Sequence, residues 1–241
     1  MSSTAYNPVY PCGDHAVTAV LGEGIEEAVS NKVISLFEHL RSLSLTGIKD
    51  IIPAYNTLMV VYDPAMIAKN GAASVSEKMC RWLQQEIGNC QSRTIKTQKK
   101  NIPVCYHESL APDIVSLAAL HNIGVEEVIS LHTGKSYRVY MLGFLPGFAY
   151  MGSVPEKLVT PRKSSPRSKV PAGSVGIAGE QTGIYPFESP GGWQLIGQTP
   201  LQMFDANREM PAYLQPGDEV IFQAISLSEF NEIKQHEYPH T

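Results

Sequence analysis

This chain is poor in charge, poor in cysteine and without any of the familiar self-contained catalytic signatures. Charged residues are 17% of its 241 positions and the net charge is −4, so there is no electrostatic case for a nucleic-acid or anionic-membrane partner. The short basic run Arg93–Lys100 (RTIKTQKK) reads as a solvated strand or loop. The cysteines (Cys12, Cys80, Cys90, Cys105) are scattered, with neither CxxC nor Cys/His metal spacing. They read as buried fillers, free thiols in a reducing cytoplasm. No apolar run reaches the ~20 residues needed to cross a bilayer. The opening MSSTAYNPVYPCGDH has no basic n-region and no apolar h-region, so no signal peptide is expected. P-loop, HExxH, GxSxG and DxD-type motifs are all missing. Any nucleotide handled here is therefore held without a P-loop.

What is present is enough to fold. Hydrophobic residues make up 43% of the chain, and its length suits one large or two small domains. Residues 1–104 read as an α+β domain. Val9–Leu21 holds a strand interrupted at Gly13–Asp14. Ile25, Val29, Val33, Leu36, Phe37 and Leu40 recur at helical spacing over 25–41. Ile48–Pro53 and Thr57–Tyr62 read as strands turned at Asn56. Ser74 and Glu77 are spaced as a capping box before a second helix, and Lys96–Val104 reads as a closing strand. The order βαββαβ is the ferredoxin-like arrangement. Residues 105–241 begin with two short helices, Pro112–His121 and Val125–Leu131, and are β-rich from Tyr137 to about Ile225, with a helix-like start to the tail at Ser228.

The densest information lies between Tyr140 and Asp205. Glycine and proline recur there every few residues between short apolar runs such as Val175–Ile177 and Leu195–Ile196. Such punctuation excludes long helices and predicts short strands joined by tight turns, with backbone close to a ligand. Arg162 and Arg167 each follow a proline, and a planar guanidinium suits carboxylates and phosphates. Gln181, Thr182 and Tyr185 supply amide and hydroxyl groups around Gly183, and Gly191, Gly192 and Trp193 set backbone N–H groups beside an aromatic wall. His132 and His107 are candidate acid–base groups. Plainer readings stand beside these: solvated surface for the arginines, turn structure for 181–185, a bulge with a core Trp for 191–193, structural packing for a lone histidine. Asp113 reads either as a functional acid or as a helix cap, and Asp205 as a turn-former. No metal constellation is visible.

The same residues carry a family resemblance. GFLPGFAYMG (Gly143–Gly152), the pairs Pro161–Arg162 and Pro166–Arg167, VPAGSVGIAG (Val170–Gly179), QTGIYP (Gln181–Pro186) and SPGGWQLIG (Ser189–Gly197) stand in fixed order. Together they resemble the B subunits of the bacterial 5-oxoprolinases, the KipI family, long labelled allophanate hydrolase subunit 1. A weaker match runs upstream through PVCYHESLAPD (Pro103–Asp113), where Glu108 and Asp113 fall on the family's acidic positions. The chain departs from the pattern at His107 and Ala111, where the family usually has glycine, and at Gln198, where it usually has arginine.

The resemblance implies a cyclophilin-like β-barrel for residues 105–241. It implies an ATP-dependent activity that opens 5-oxo-L-proline to L-glutamate, with Mg²⁺ accompanying the nucleotide and 5-oxoprolinase subunits A and C as partners. His132, Arg162 and Arg167 are then the expected catalytic residues. Gln181, Thr182, Tyr185, Gly191, Gly192 and Trp193 are the expected substrate and nucleotide contacts. A different class of role also follows from the resemblance: some relatives are described as proteins that bind and inhibit a sporulation histidine kinase.

Overall fold

The computed structural model describes residues 8–68, 74–90 and 97–237. The chain forms two compact units, Met1–Lys96 and Thr97–Thr241. The opening segment, part of the basic run and the last tail residues lie outside the described residues.

In the first unit β1 (Val9–Pro11) and β2 (Ala16–Val20) form a hairpin. Then come α1 (Glu27–Ser42), β3 (Ile48–Pro53), β4 (Thr57–Tyr62), the single turn α2 (Pro64–Ile67) and α3 (Val75–Asn89). The strands make one antiparallel sheet in the order β1-β2-β4-β3. Period-two alternation chooses its buried face. Leu58, Val60 and Tyr62 of β4 point into a core shared with Val33, Leu36 and Leu40 of α1 and Met79 and Leu83 of α3. Each such side chain contributes about 1.5–3 kcal/mol by leaving water.

Two expectations fail in this unit. The strand expected over Lys96–Val104 does not close the sheet among the described residues; β1 occupies the edge beside β2, so the ferredoxin-like βαββαβ order is not formed by them. The strand does exist, as β5 (Lys99–Cys105), but it belongs to the second unit, where it pairs along its whole length with Glu219–Ile225. The domain boundary therefore falls at Lys96–Thr97 rather than between residues 104 and 105. Ser74 and Glu77 form no capping box either, because the Ser74 hydroxyl meets the Ser76 hydroxyl at 2.6 Å and makes no cap bond to the helix.

The second unit continues with α4 (Ile114–Leu120), α5 (Val125–Thr133), β6 (Ser136–Leu142), β7 (Ala149–Gly152), β8 (Arg167–Val170), β9 (Ser174–Ala178), β10 (Gln181–Ile184), β11 (Ser189–Gly191), β12 (Gln194–Gln198), β13 (Glu219–Ile225) and α6 (Leu227–Glu237). Seven of these strands close into a barrel, β10-β7-β6-β13-β5-β12-β9. All neighbours are antiparallel except β5 and β13, whose parallel register runs from Lys99↔Glu219 to Cys105↔Ile225. Closure removes the open edges that a sheet of short strands would otherwise expose. Ile102, Val139, Met151, Ile177, Ile196 and Phe222 are fully or almost fully buried in its core. β8 and β11 stand apart as a two-stranded ribbon. Among the described residues no single helix is long and apolar enough to cross a membrane.

Candidate functional site

A second apolar cluster, distinct from the main core of this unit, lies under the β8–β11 ribbon. Phe148, Val170, Ala178, Tyr185, Trp193 and Leu195 are its buried members. Phe148 meets Tyr185 and Trp193 edge-on, with ring centroids 5.2 and 5.4 Å apart, the arrangement that aromatic quadrupoles favour. Glycine is required where the backbone crosses this floor. A Cβ at Gly191 would collide with the Tyr185 hydroxyl, and one at Gly183 would sit 3.1 Å from both Phe148 and Trp193. Burial raises the Tyr185 pKa above the usual phenol value, against the opposing pull of the Trp193 backbone N–H and of Arg162 and Arg167.

The segment Pro161–Arg167 runs across this floor and is fastened at several points. Thr160 bridges to Gly179. The Lys163 backbone N–H donates to the Gly192 carbonyl (2.7 Å), and the Gln194 side-chain amide donates to the Pro161 carbonyl (3.0 Å). Arg167 then pairs with Gly191 in the ribbon. Two prolines restrict the backbone between these ties. Arg162, exposed, lies with its guanidinium carbon 5.9 Å from the Trp193 ring centroid, within cation–π range. Burial also raises the Tyr150 pKa, and the nearby Arg162 charge pulls it the other way.

Asp113 anchors the cluster from below. Its Oδ1 accepts from Arg167 Nη2 at 2.6 Å and Lys163 Nζ at 3.0 Å, and its Oδ2 accepts from the Leu195 N–H at 2.7 Å. Its own N–H donates to the Leu195 carbonyl at 3.0 Å. The carboxylate is only 4% exposed. Burial alone would raise its pKa, but Arg167, the Leu195 N–H and Lys163 outweigh that and hold it below the usual carboxylate range. Asp113 stands at the first position before α4 yet makes no side-chain cap bond to that helix, so the cap reading is corrected: it is a charge anchor. Arg167 keeps Nη2 on Asp113, while its buried Nη1 has no hydrogen-bond partner. Arg162, Lys163 and Arg167 thus set three positive charges against one carboxylate.

The expected site residues divide. Arg162, Arg167, Tyr185, Gly191, Gly192 and Trp193 come together here, with Gly191 serving close packing and Gly192 accepting from Lys163 rather than donating. His132 and Thr182 do not. His132 is fully buried in the main core, its Nδ1 2.7 Å from the Tyr106 hydroxyl, its Nε2 3.0 Å from the Thr182 hydroxyl, and its ring stacked on Phe222 at 4.5 Å. The Thr182 hydroxyl also donates to the Gly176 carbonyl at 3.1 Å. Desolvation pushes the His132 pKa down to about 3, so the ring is neutral. A general acid or base must reach its substrate's proton, and the side chains of His132 and Thr182 are instead packed in the barrel core. Gln181 opens β10 opposite Gly152 and Ala178, half-buried.

Elsewhere, His107 and Glu108 are exposed, and His107 bonds Ser109. Gln198, at the position of the family's usual arginine, donates to the Ala172 carbonyl at 2.6 Å. Asp205 does fix a turn, accepting from the Asn207 N–H at 2.9 Å. Sequence reasoning missed Lys163 and Tyr150, although Lys163 follows the first Pro-Arg pair directly. Among the described residues no group of three or more His, Cys, Asp or Glu side chains is placed to hold a metal ion.

The site is thus a closed barrel carrying a cation-bearing loop over an aromatic floor. The family model for the carboxyltransferase domain, subdomains C and D, matches residues 8–214. This chain is 39% identical over 227 residues to the 5-oxoprolinase B subunit of Bacillus subtilis, covering 92% of this chain and 95% of that one. It is 40% identical over 215 residues to the 5-oxoprolinase B subunit of Escherichia coli O157:H7, covering 88% and 94%. The crystal structure of TTHA0988 superposes with a TM-score of 0.76 at 35% identity, over 88% of this chain and 40% of that longer one. The chain belongs to the family of 5-oxoprolinase B subunits, within the carboxyltransferase-domain class.

Proposed function

We propose that this chain is the B subunit of an ATP-dependent 5-oxoprolinase, which opens 5-oxo-L-proline to L-glutamate together with subunits A and C. The observation that carries the reading is near-full-length identity to proteins of that name. The fastened Arg162–Arg167 loop is consistent with it. A lactam carbonyl is a weak electrophile. Transfer of the ATP γ-phosphoryl group to its oxygen would create a good leaving group, which is the reason such a reaction consumes ATP. This chain's share is to hold a carboxylated ring beside the half-buried Leu145 and Tyr150 that border the aromatic floor, and to stabilise negative charge with fixed cations. Three cations suit the oxyanions of a nucleotide, and Mg²⁺, which needs only one or two carboxylates beside the phosphates, would accompany it in the assembled complex. The described cysteines are free thiols, in keeping with a cytoplasmic complex.

The test is glutamate release from 5-oxoproline and ATP, with and without the partner subunits. Turnover is expected only from the assembled set. Full turnover by this chain alone would refute the need for partners, and none from the complete set would refute the reaction.

A further inference from the structure

We infer that the two Pro-Arg pairs have different jobs: Arg162 contacts the substrate's carboxylate, whereas Asp113 is a positioning residue that fixes Arg162 through Arg167 and Lys163. This rests on the 5-oxoprolinase reading and assigns the substrate side of that site. Arg162 is exposed, with its guanidinium carbon over the Trp193 ring at 5.9 Å from the centroid. Arg167 and Lys163, by contrast, both close on one buried carboxylate. Asp113 is tied to the Leu195 backbone in both directions, so it joins β12 to the loop that bears Arg162. The loop's remaining ties, Lys163 to Gly192 and Gln194 to Pro161, flank Arg162 on either side. A guanidinium is itself a planar fork of N–H donors, which matches a planar carboxylate. Leu145 and Tyr150, half-buried where they pack against the aromatic floor, offer apolar surface to a small ring. A phosphate chain would use the charge but not the floor.

The reconstituted complex tests this. Charge-assisted hydrogen bonds are worth about ten- to a hundredfold in affinity. Arg162→Ala is expected to raise the KM for 5-oxoproline by that factor, with the KM for ATP within about twofold and the melting temperature unchanged. Arg162→Lys should recover little. Asp113→Asn keeps the side chain's shape and should raise the same KM. In an Arg162→Ala background that increase should vanish, because Asp113 acts through Arg162. A purely structural Asp113 would give additive effects and overturn its assignment. Wild-type KM in Arg162→Ala, or a rise in the KM for ATP instead, would overturn the carboxylate contact.

If the wild-type complex releases no glutamate, the reaction is wrong, and the site is judged by binding to the purified full chain. NMR titration with 5-oxoproline should shift the Trp193 indole N–H, and the shift should be absent in Arg162→Ala. The carboxylate-free analogue 2-pyrrolidinone and inorganic phosphate should leave it in place. Equal shifts with phosphate, or none with 5-oxoproline, would overturn the inference.

Discussion

The second unit holds two polar clusters built from similar materials, and they do opposite things. In the core, His132, Tyr106 and Thr182 form a chain of hydrogen bonds with both imidazole nitrogens engaged. Beneath the β8–β11 ribbon, Asp113, Arg167, Lys163 and Arg162 gather around an aromatic floor. The first cluster is sealed and neutral, since burial keeps the imidazole unprotonated. The second is only partly sealed and has more cations than carboxylates. A histidine reads as chemistry in a sequence because its free pKa is near neutral. Full burial removes that property, whereas a guanidinium keeps its charge almost anywhere. Polarity alone does not mark a site; uncommitted charge within reach of solvent does.

The sharpest way to break the comparison is at His132. Removing the ring leaves the buried Tyr106 hydroxyl without its partner and opens a cavity beside Phe222. His132→Ala should therefore cost about 3–5 kcal/mol of stability. Denaturant unfolding reads that loss, and kcat per folded molecule should stay within about twofold. A large fall in kcat with stability intact would return His132 to the chemistry. Asp113→Ala comes next, at about 2–3 kcal/mol. It strips a buried carboxylate from two cations that keep partial access to water, with side chains 26% and 31% exposed. A loss below about 1 kcal/mol would mean that the anchor does not hold the loop.

Acid tests the sealed cluster without mutation. The unfolded imidazole takes up a proton near pH 6.5, while the folded one resists down to about 3. Between those values the unfolded chain binds the extra proton, so stability falls as pH falls, by about 1.4 kcal/mol per unit from this group. From pH 6.5 to 5 that is about 2 kcal/mol. His132→Asn, which cannot titrate, should flatten the dependence by that amount, the other histidines being common to both proteins. Identical pH slopes would show that His132 is not held neutral.

Much of this architecture is legible in the sequence, and the failures share one cause. β3 and β4 fall where alternation and turn residues place them, at Ile48–Pro53 and Thr57–Tyr62, because those signals are local. The β5 strand is visible too, but its partner is β13, some 120 residues on. A strand's pattern says that it pairs, not with what, and so the boundary and the closure of the first sheet escape a sequence reading. Asp113 shows the same limit. Its position ahead of α4 suggests a cap, yet its partners Lys163, Arg167 and Leu195 are 50, 54 and 82 residues away. The arginines are legible because their Pro-Arg spacing is local, and their division of labour is not, because Asp113 decides it.

The smallest effect concerns a pair on the same ribbon. Lys169 of β8 meets Glu188, the residue before β11, at 2.9 Å, two residues along from Arg167, which meets Asp113 at 2.6 Å. By distance the two ion pairs look alike. Their surroundings differ: the Lys169 and Glu188 side chains are 76% and 57% exposed, against 4% for Asp113. Water and salt screen an exposed pair, and fixing two long side chains costs entropy that offsets the attraction. Lys169→Ala should therefore change stability by less than about 0.5 kcal/mol, and the difference should disappear in about 0.5 M salt. Asp113→Ala should keep most of its cost in the same salt, because its carboxylate is shielded from mobile ions. The measurement is unfolding free energy for both variants at low and high ionic strength. A loss above about 1 kcal/mol for Lys169→Ala, or equal salt sensitivity in the two, would mean that proximity rather than burial sets the strength of these pairs, and the contrast between sealed and open charge would no longer explain the site.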